Sequence, residues 1–208
     1  KMGAEAPDVE SAKELRSFFE TIQKLIAEGK ILAYHDKSDG GLYTTALEMA
    51  FAGHVGVTLD ISKLAGSELE ILFNEELGAV LQVATENVSA VLSAFENAGL
   101  KECVSDIGTL NDSYEYRIGN YAENISDLRA IWSDTTRRIS ALRDNPECAE
   151  SEYKLKLEEA DPGITPKVTF DISVTHDYES RPKMAILREQ GVNGEVEIYA
   201  LRYYSLAL

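Results

Sequence analysis

The stretch His35-Asp36-Lys37-Ser38-Asp39-Gly40-Gly41-Leu42 holds residue types that handle phosphate and a divalent cation. It lies between a short apolar run, Ile31–Tyr34, and a run of helical spacing from Leu42 to Ala52. A strand-to-helix junction aims free backbone N–H groups, and the positive end of the helix dipole, at whatever sits above it. Paired glycines let an anion approach the backbone, and Ser38 offers a hydroxyl. Asp36 and Asp39 offer the hard oxygen ligands that Mg²⁺ takes together with phosphate and water. The same residues also read as an Asx turn and a glycine turn that together cap a helix, and spacing alone leaves both readings open.

Other candidates carry plainer alternatives. Glu75 and Glu76 are adjacent carboxylates that could take a metal or a substrate amine. Neighbouring strand residues face opposite ways, so a solvated strand end explains them equally. His35 and His54 are either acid–base groups or hydrogen-bonded structural histidines. Arg137-Arg138 could clamp an anion or form a salt-bridged helix face. There is no Ser-His-Asp ordering and no P-loop lysine motif.

These residues need elements to hold them. Asp8 is the expected N-cap of a first helix, whose apolar positions Leu15, Phe18, Phe19, Ile22, Leu25 and Ile26 keep helical spacing up to Gly29. Ile31–Tyr34 reads as a buried strand, Leu42–Ala52 as a helix closed by Gly53, and Gly56–Asp60 as a strand. Ser67–Phe73 suggests a short helix, Leu77–Val83 a strand, and Asn87–Asn97 a third long helix. Lys101–Leu110 and Ser113–Ile118 suggest two strands, which the turn pair Asn111-Asp112 would join as a hairpin. Elements mixed in this order predict an α/β fold of the α+β sandwich kind, a mixed sheet covered by helices. After Tyr121 an amphipathic helix with Ile125, Leu128, Ile131, Trp132, Ile139 and Leu142 runs to Pro146, and a charged helix follows over Glu150–Ala160. That stretch reads as a connector that leans on its neighbours. Lys183–Leu187 then reads as a strand that opens a further domain, with the boundary near Glu179.

Composition narrows the class. The 208 residues suit one domain, or one domain and the start of another, and 44% apolar content is enough for a real core. With 36 Asp and Glu against 20 Lys and Arg, the net charge of −16 argues against a nucleic-acid binder, which needs clustered positive charge. No apolar run approaches the ~20 residues that span a bilayer, and KMGAEAPDVE is not a signal peptide. Cys103 and Cys148 make neither a CxxC pair nor a disulfide framework, so a cytoplasmic location is the simplest expectation. The chain starts at Lys1 and ends on the uncapped apolar tail Ile198–Leu208, which suggests a piece of a longer polypeptide.

Four blocks, in order, resemble the large single-chain form of the phosphoribosylformylglycinamidine synthase family. They are His35–His54; Leu72–Gly78; Trp132–Thr136 with Leu142–Ala149; and Arg181–Asn193. The resemblance implies that residues 1–120 form the C-terminal half of the second aminoimidazole ribonucleotide synthetase-like unit. Residues 121–178 would be a helical and extended linker, and 179–208 the first strand of a class I glutaminase domain. It implies a ligase that uses ATP and glutamine to convert formylglycinamide ribonucleotide to its amidine in purine biosynthesis. ATP activates the formamide oxygen as an iminophosphate, and ammonia from glutamine displaces the phosphate. On that resemblance Asp36 is a Mg²⁺ ligand and Ser38 contacts a bound adenine nucleotide, ATP or ADP, which in this half is an auxiliary, structural one. No catalytic residue carries over: the glutaminase Cys with its His and Glu would follow Leu208, and further metal ligands and glycine-rich ATP segments would precede Lys1. The tail Ile198–Leu208 departs from the family. The partners implied are the preceding synthetase domains, the glutaminase domain and the small-molecule substrates, without nucleic acid or membrane. Two other functions fit the same blocks: a structural nucleotide-binding and docking module, or another ATP-dependent enzyme of the superfamily.

Overall fold

A computed structural model describes residues 7–171, 185–188, 191 and 193–197. The chain forms two compact units, Lys1–Asp161 and Pro162–Leu208. Of the expected strand Lys183–Leu187, the described residues 185–187 form no strand, while most of the Arg181–Asn193 block and all of the tail Ile198–Leu208 lie outside the described residues.

In the first unit α1 spans Ala12–Ala27. Its N-cap is Ser11 rather than Asp8: the Ser11 hydroxyl accepts the Glu14 N–H at 3.2 Å, whereas Asp8 bonds only the N–H of Val9 beside it. Strand β1 is Ala33–Asp36, α2 is Gly41–Gly53 and β2 is Gly56–Leu59. Helix α3, Glu68–Phe73, starts on a capping box between Ser67 and Glu70. Strand β3, Ala79–Gln82, and helix α4, Val88–Asn97, follow. Then come β4 Gly108–Asn111, β5 Glu115–Ile118 and β6 Tyr121–Asn124. Helix α5, Ile125–Arg143, is capped by Asn124, and α6, Pro146–Leu157, by Asn145, with Pro146 in its first turn.

Strand β1 pairs antiparallel with β3, and a second sheet has the order β4-β2-β5-β6. The second sheet is mixed, with β2 antiparallel to β4 and parallel to β5. The expected hairpin of β4 with β5 is therefore corrected: β2 lies between them. Asn111 stands opposite Gly56, where a Cβ would come within 2.0 Å of the Asn111 Oδ1. The Asn111 amide donates to both Thr58 Oγ1 and the Glu115 carbonyl, each at 3.0 Å, which ties β2 to the far side of the crossing. The true hairpin comes one strand later. Ile118 faces Tyr121 across Gly119-Asn120, with Gly119 at φ +55°.

Two apolar clusters hold the unit. Ala46, Leu47, Ala50 and Phe51 of α2 pack with Leu59, Tyr116, Ile118 and Ile125. Ile22 and Leu25 of α1 pack with Val91 and Phe95 of α4 and with Leu100. Helix α2 buries residues around most of its circumference, which is why Leu42–Ala52 is apolar almost throughout. The stretch after Tyr121 leans on this core through Ile125, Leu128 and one edge of Trp132, while Ile131, Ile139 and Leu142 of the same apolar spacing stay exposed. Ile125 is fully buried, and the Trp132 ring lies 5.7 Å from that of Phe51. Helix α6 packs back on α5 through the Tyr153 hydroxyl, which donates to the Ala130 carbonyl at 3.1 Å.

Candidate functional site

The loop between β1 and α2 is built from both ends. Its strand side is fixed by pairing of Asp36 with Ala79 and by the Lys37 N–H, which donates to the Gly78 carbonyl at 2.8 Å. Its helix side turns tightly, the Gly41 N–H donating to the Ser38 carbonyl at 2.9 Å. Gly40 and Gly41 lie at φ +81° and +63°, in the left-handed region that glycine enters without strain. A Cβ on Gly41 would come within 2.7 Å of the Leu72 carbonyl oxygen, and one on Gly40 within 2.1 Å of Thr44 Oγ1. Turn geometry and close packing therefore account for both glycines.

The alternation along the loop separates its side chains. Asp36 and Ser38 are exposed, and Lys37 between them is turned inward. Burial pulls the Lys37 ammonium below the ordinary lysine value, and the charge of Glu76 opposes that shift. Its Nζ donates to Asn74 Oδ1 at 3.3 Å. Burial, and then the charge of Asp36 beside it, hold the Tyr34 phenol above its usual value. Asp36 is thus a solvent-facing carboxylate at the loop mouth, chemically suited to a hard cation. Among the described residues no three His, Cys, Asp or Glu side chains converge to hold a metal. Asp36 supplies one ligand, and a cation there would need phosphate oxygens, water or other residues for the rest.

Glu75 is exposed, as a solvated strand end would be, but it is also held by the loop. Its Oε1 accepts the Gly40 N–H at 2.9 Å, placing a carboxylate at the helix N-terminus. The Phe73–Gly78 stretch thus forms one wall of the loop, with Asn74 on Lys37, Glu75 on Gly40 and Gly78 on the Lys37 backbone. The two blocks lie far apart in the sequence, and nothing in their spacing singles out Lys37 or Asn74. The Glu76 N–H bonds Asn74 Oδ1 at 2.7 Å, which bends the chain here. Past the Gly40 and Gly41 amides, the Leu42 and Tyr43 N–H groups have no protein acceptor among the described residues.

The remaining candidates are structural. His35 points to the other face of β1, where its Nε2 lies 2.7 Å from Glu48 Oε2. Glu48 also accepts the Trp132 indole N–H at 3.0 Å. His54 closes α2 in the left-handed conformation, and its Nε2 accepts from Arg129 at 2.8 Å, a guanidinium having only donors. Arg137 and Arg138 are engaged by Asp134 at 2.6 and 2.7 Å, and Arg137 also by Glu150 at 3.3 Å. They form the salt-bridged face, not an anion clamp. No helix among the described residues is long and apolar enough to cross a membrane.

A family model described as AIR synthase related protein, C-terminal domain, matches residues 2–119. The fold is similar to the crystal structure of phosphoribosylformylglycinamidine synthase II from Thermotoga maritima, with TM-score 0.50 and 18% identity over 57% of this chain and 22% of that one. It is similar to the same degree to Thermotoga maritima PurL complexed with ATP, with TM-score 0.50 and 17% identity over 57% of this chain and 22% of that one. At such identities the likeness is one of fold. The chain spans about a fifth of the length of these structures.

Proposed function

The chain belongs to the family of AIR synthase related proteins through its C-terminal domain, and on that premise we propose that it is the nucleotide-holding part of an ATP-dependent ligase of purine biosynthesis. The ligase would be the glutamine-dependent synthase that converts formylglycinamide ribonucleotide to formylglycinamidine ribonucleotide. The fold neighbours whose names include that synthase and an ATP complex support this choice. In this reading residues 1–120 are the synthetase-like half, 121–178 a linker, and 179–208 the start of a glutaminase domain. The rest of the polypeptide completes the site, and the piece alone does not turn over.

The observation that carries the reading is the β1–α2 junction. An exposed carboxylate and an exposed hydroxyl, Asp36 and Ser38, stand two residues apart before a helix whose first N–H groups include unclaimed donors. Ser38 would contact the phosphates of ATP or ADP, and the first turn of α2 would add its dipole. Asp36 would hold Mg²⁺, whose charge would neutralise phosphate oxygens when bound. Lys37, turned inward onto Asn74, keeps the strand register that holds these two side chains outward.

The test belongs in the full-length enzyme. Calorimetric titration of Mg²⁺ and ADP into wild type, Asp36→Asn and Ser38→Ala should show metal affinity falling first in Asp36→Asn, with nucleotide affinity following. Ser38→Ala removes a hydrogen bond to a charged partner, so nucleotide affinity should fall about ten- to a hundredfold, for a bond worth roughly 1.5–3 kcal/mol. Wild-type binding by both variants would leave the loop as a helix cap only.

A further inference from the structure

A groove of about 870 Å³ runs between α1 and α4 on one side and the β1–β3 ribbon on the other. Its lining includes Phe18, Leu81, Val91 and Phe95. Apolar side chains also stand open along it, Leu15 being 45% exposed and Leu77 58%. The polar rim is of one sign. Asp8, Glu10, Glu14, Asp36, Glu76 and Asp106 line it, and no Lys, Arg or His does. Among the described residues Glu10, Glu14 and Asp106 form no ion pair, so their charge is not neutralised within the groove.

From this charge pattern we propose that the groove docks a basic amphipathic helical segment of a partner protein, its apolar face on Phe18, Leu81, Val91 and Phe95 and its lysines or arginines on the rim. The physical basis is the helix-in-groove mode of recognition, in which apolar anchors give affinity and complementary charge gives orientation. The carboxylates come from the segment before α1, from α1 itself, from β1 and from the stretches leading into β3 and β4. Charges spread over so many elements match a row of cations on one segment better than the one or two of a small ligand. An anion that brings no cation with it is disfavoured by the rim. A second copy of this chain, at net charge −16, brings the wrong sign. Asp36 is common to this groove and to the nucleotide reading, so the test leaves Asp36 and Glu76 untouched and can fail independently of that reading.

The probe is a fluorescein-labelled helical peptide of roughly 14 residues with Leu on one face and Lys on the other, titrated by anisotropy into the full chain. A peptide of the same composition with the Leu positions scrambled is the control. The groove variant is Glu10→Lys/Glu14→Lys/Asp106→Lys. The surface variant Glu68→Lys/Glu123→Lys/Glu158→Lys changes net charge equally away from the groove, and thermal melts confirm that both fold. Docking in the groove predicts about tenfold or greater loss in the groove variant only, weaker binding of the scrambled peptide, and amide shift changes at Phe18, Val91 and Phe95. Equal losses in the two variants, equal binding of the scrambled peptide, full competition by spermine at matched charge, or no binding to wild type would each overturn it. So would self-association that is lost in the groove variant, because it would make a second copy the occupant.

Discussion

Glu75 Oε1 accepts the Gly40 N–H at 2.9 Å, so a carboxylate already sits where α2 presents its positive end. An anion brought to this turn must share the space with that charge or displace it. Glu75→Gln keeps an acceptor for Gly40 and removes the charge. On the proposed nucleotide reading it should therefore raise the affinity of the full-length protein for ADP several-fold, while leaving the thermal midpoint nearly unchanged because the site is exposed. Glu75→Ala should show the same gain with a small loss of stability. Calorimetry with ADP checks both, and an affinity reduced in both variants would make Glu75 part of the binding surface instead.

The glycines beside it respond to substitution for a different reason. Gly41 sits at φ +63°, and a Cβ there would meet the backbone of Leu72–Asn74 at 2.7–2.9 Å. That backbone cannot swing away as a side-chain tip can. Gly41→Ala should therefore cost more than the ~1 kcal/mol of the left-handed conformation alone, about 2–4 kcal/mol in all. Gly29 also has positive φ, at +66°, but nothing lies within 4 Å of a Cβ there. Gly29→Ala should cost only about 1 kcal/mol, and urea unfolding of the two variants measures the difference.

The order of elements was legible because each carries a local signal. Helix α2 shows its apolar run, α1 its spaced Ile22 and Leu25, and α3 the Ser67–Glu70 capping pair. Sheet order was not legible in the same way. Asn111-Asp112 has the composition of a two-residue hairpin turn, and what prevents the hairpin is β2, some fifty residues earlier, fitting between through Gly56. The Gly119-Asn120 turn carries an equally good signal, but Tyr121–Asn124 falls within the expected linker, and pairing with β5 makes it strand β6 instead. At the site, the loop's own chemistry was readable from its residues. The wall made by Asn74 and Glu75 was not, because it depends on antiparallel pairing of β1 with β3 in one register.

Glu48 joins two elements that are distant in sequence, His35 on β1 at 2.7 Å and Trp132 on α5 at 3.0 Å. A glutamine can still accept the indole N–H with its oxygen and donate to the imidazole with its amide. Glu48→Gln should therefore cost well under 1 kcal/mol, and Glu48→Ala, which leaves both partners unpaired, about 1–3 kcal/mol. Trp132 is the single tryptophan of the chain, so its emission reports the junction where it meets Glu48 and Phe51. The alanine variant should shift that emission to the red and the glutamine variant should not. Identical spectra and midpoints in both would show that the bridge does not hold α5.

Tyr116 ties stability to alkaline pH. It is fully buried, and its hydroxyl donates to the Tyr43 carbonyl at 2.9 Å. Burial first, and then the neighbouring phenols of Tyr43 and Tyr121, raise its pKa far above the ordinary tyrosine value. Tyr43 is shifted the same way, by burial and then by its bond to Tyr121. The unfolded chain therefore releases these protons before the folded one does. Their contribution is complete below pH ~10 and is lost as pH rises above that value. Lys37, lowered by burial, acts in the opposite sense, gaining stability as pH climbs towards the unfolded lysine value, but it is one group against the three raised phenols of Tyr116, Tyr43 and Tyr34. Denaturant unfolding of the wild type should thus show a steep loss between pH about 9.5 and 11. Tyr116→Phe should cost about 1 kcal/mol at pH ~8 for the lost hydrogen bond, and should then decline less steeply with pH than the wild type. Parallel curves for the two proteins across that range would mean that Tyr116 does not govern the alkaline limb.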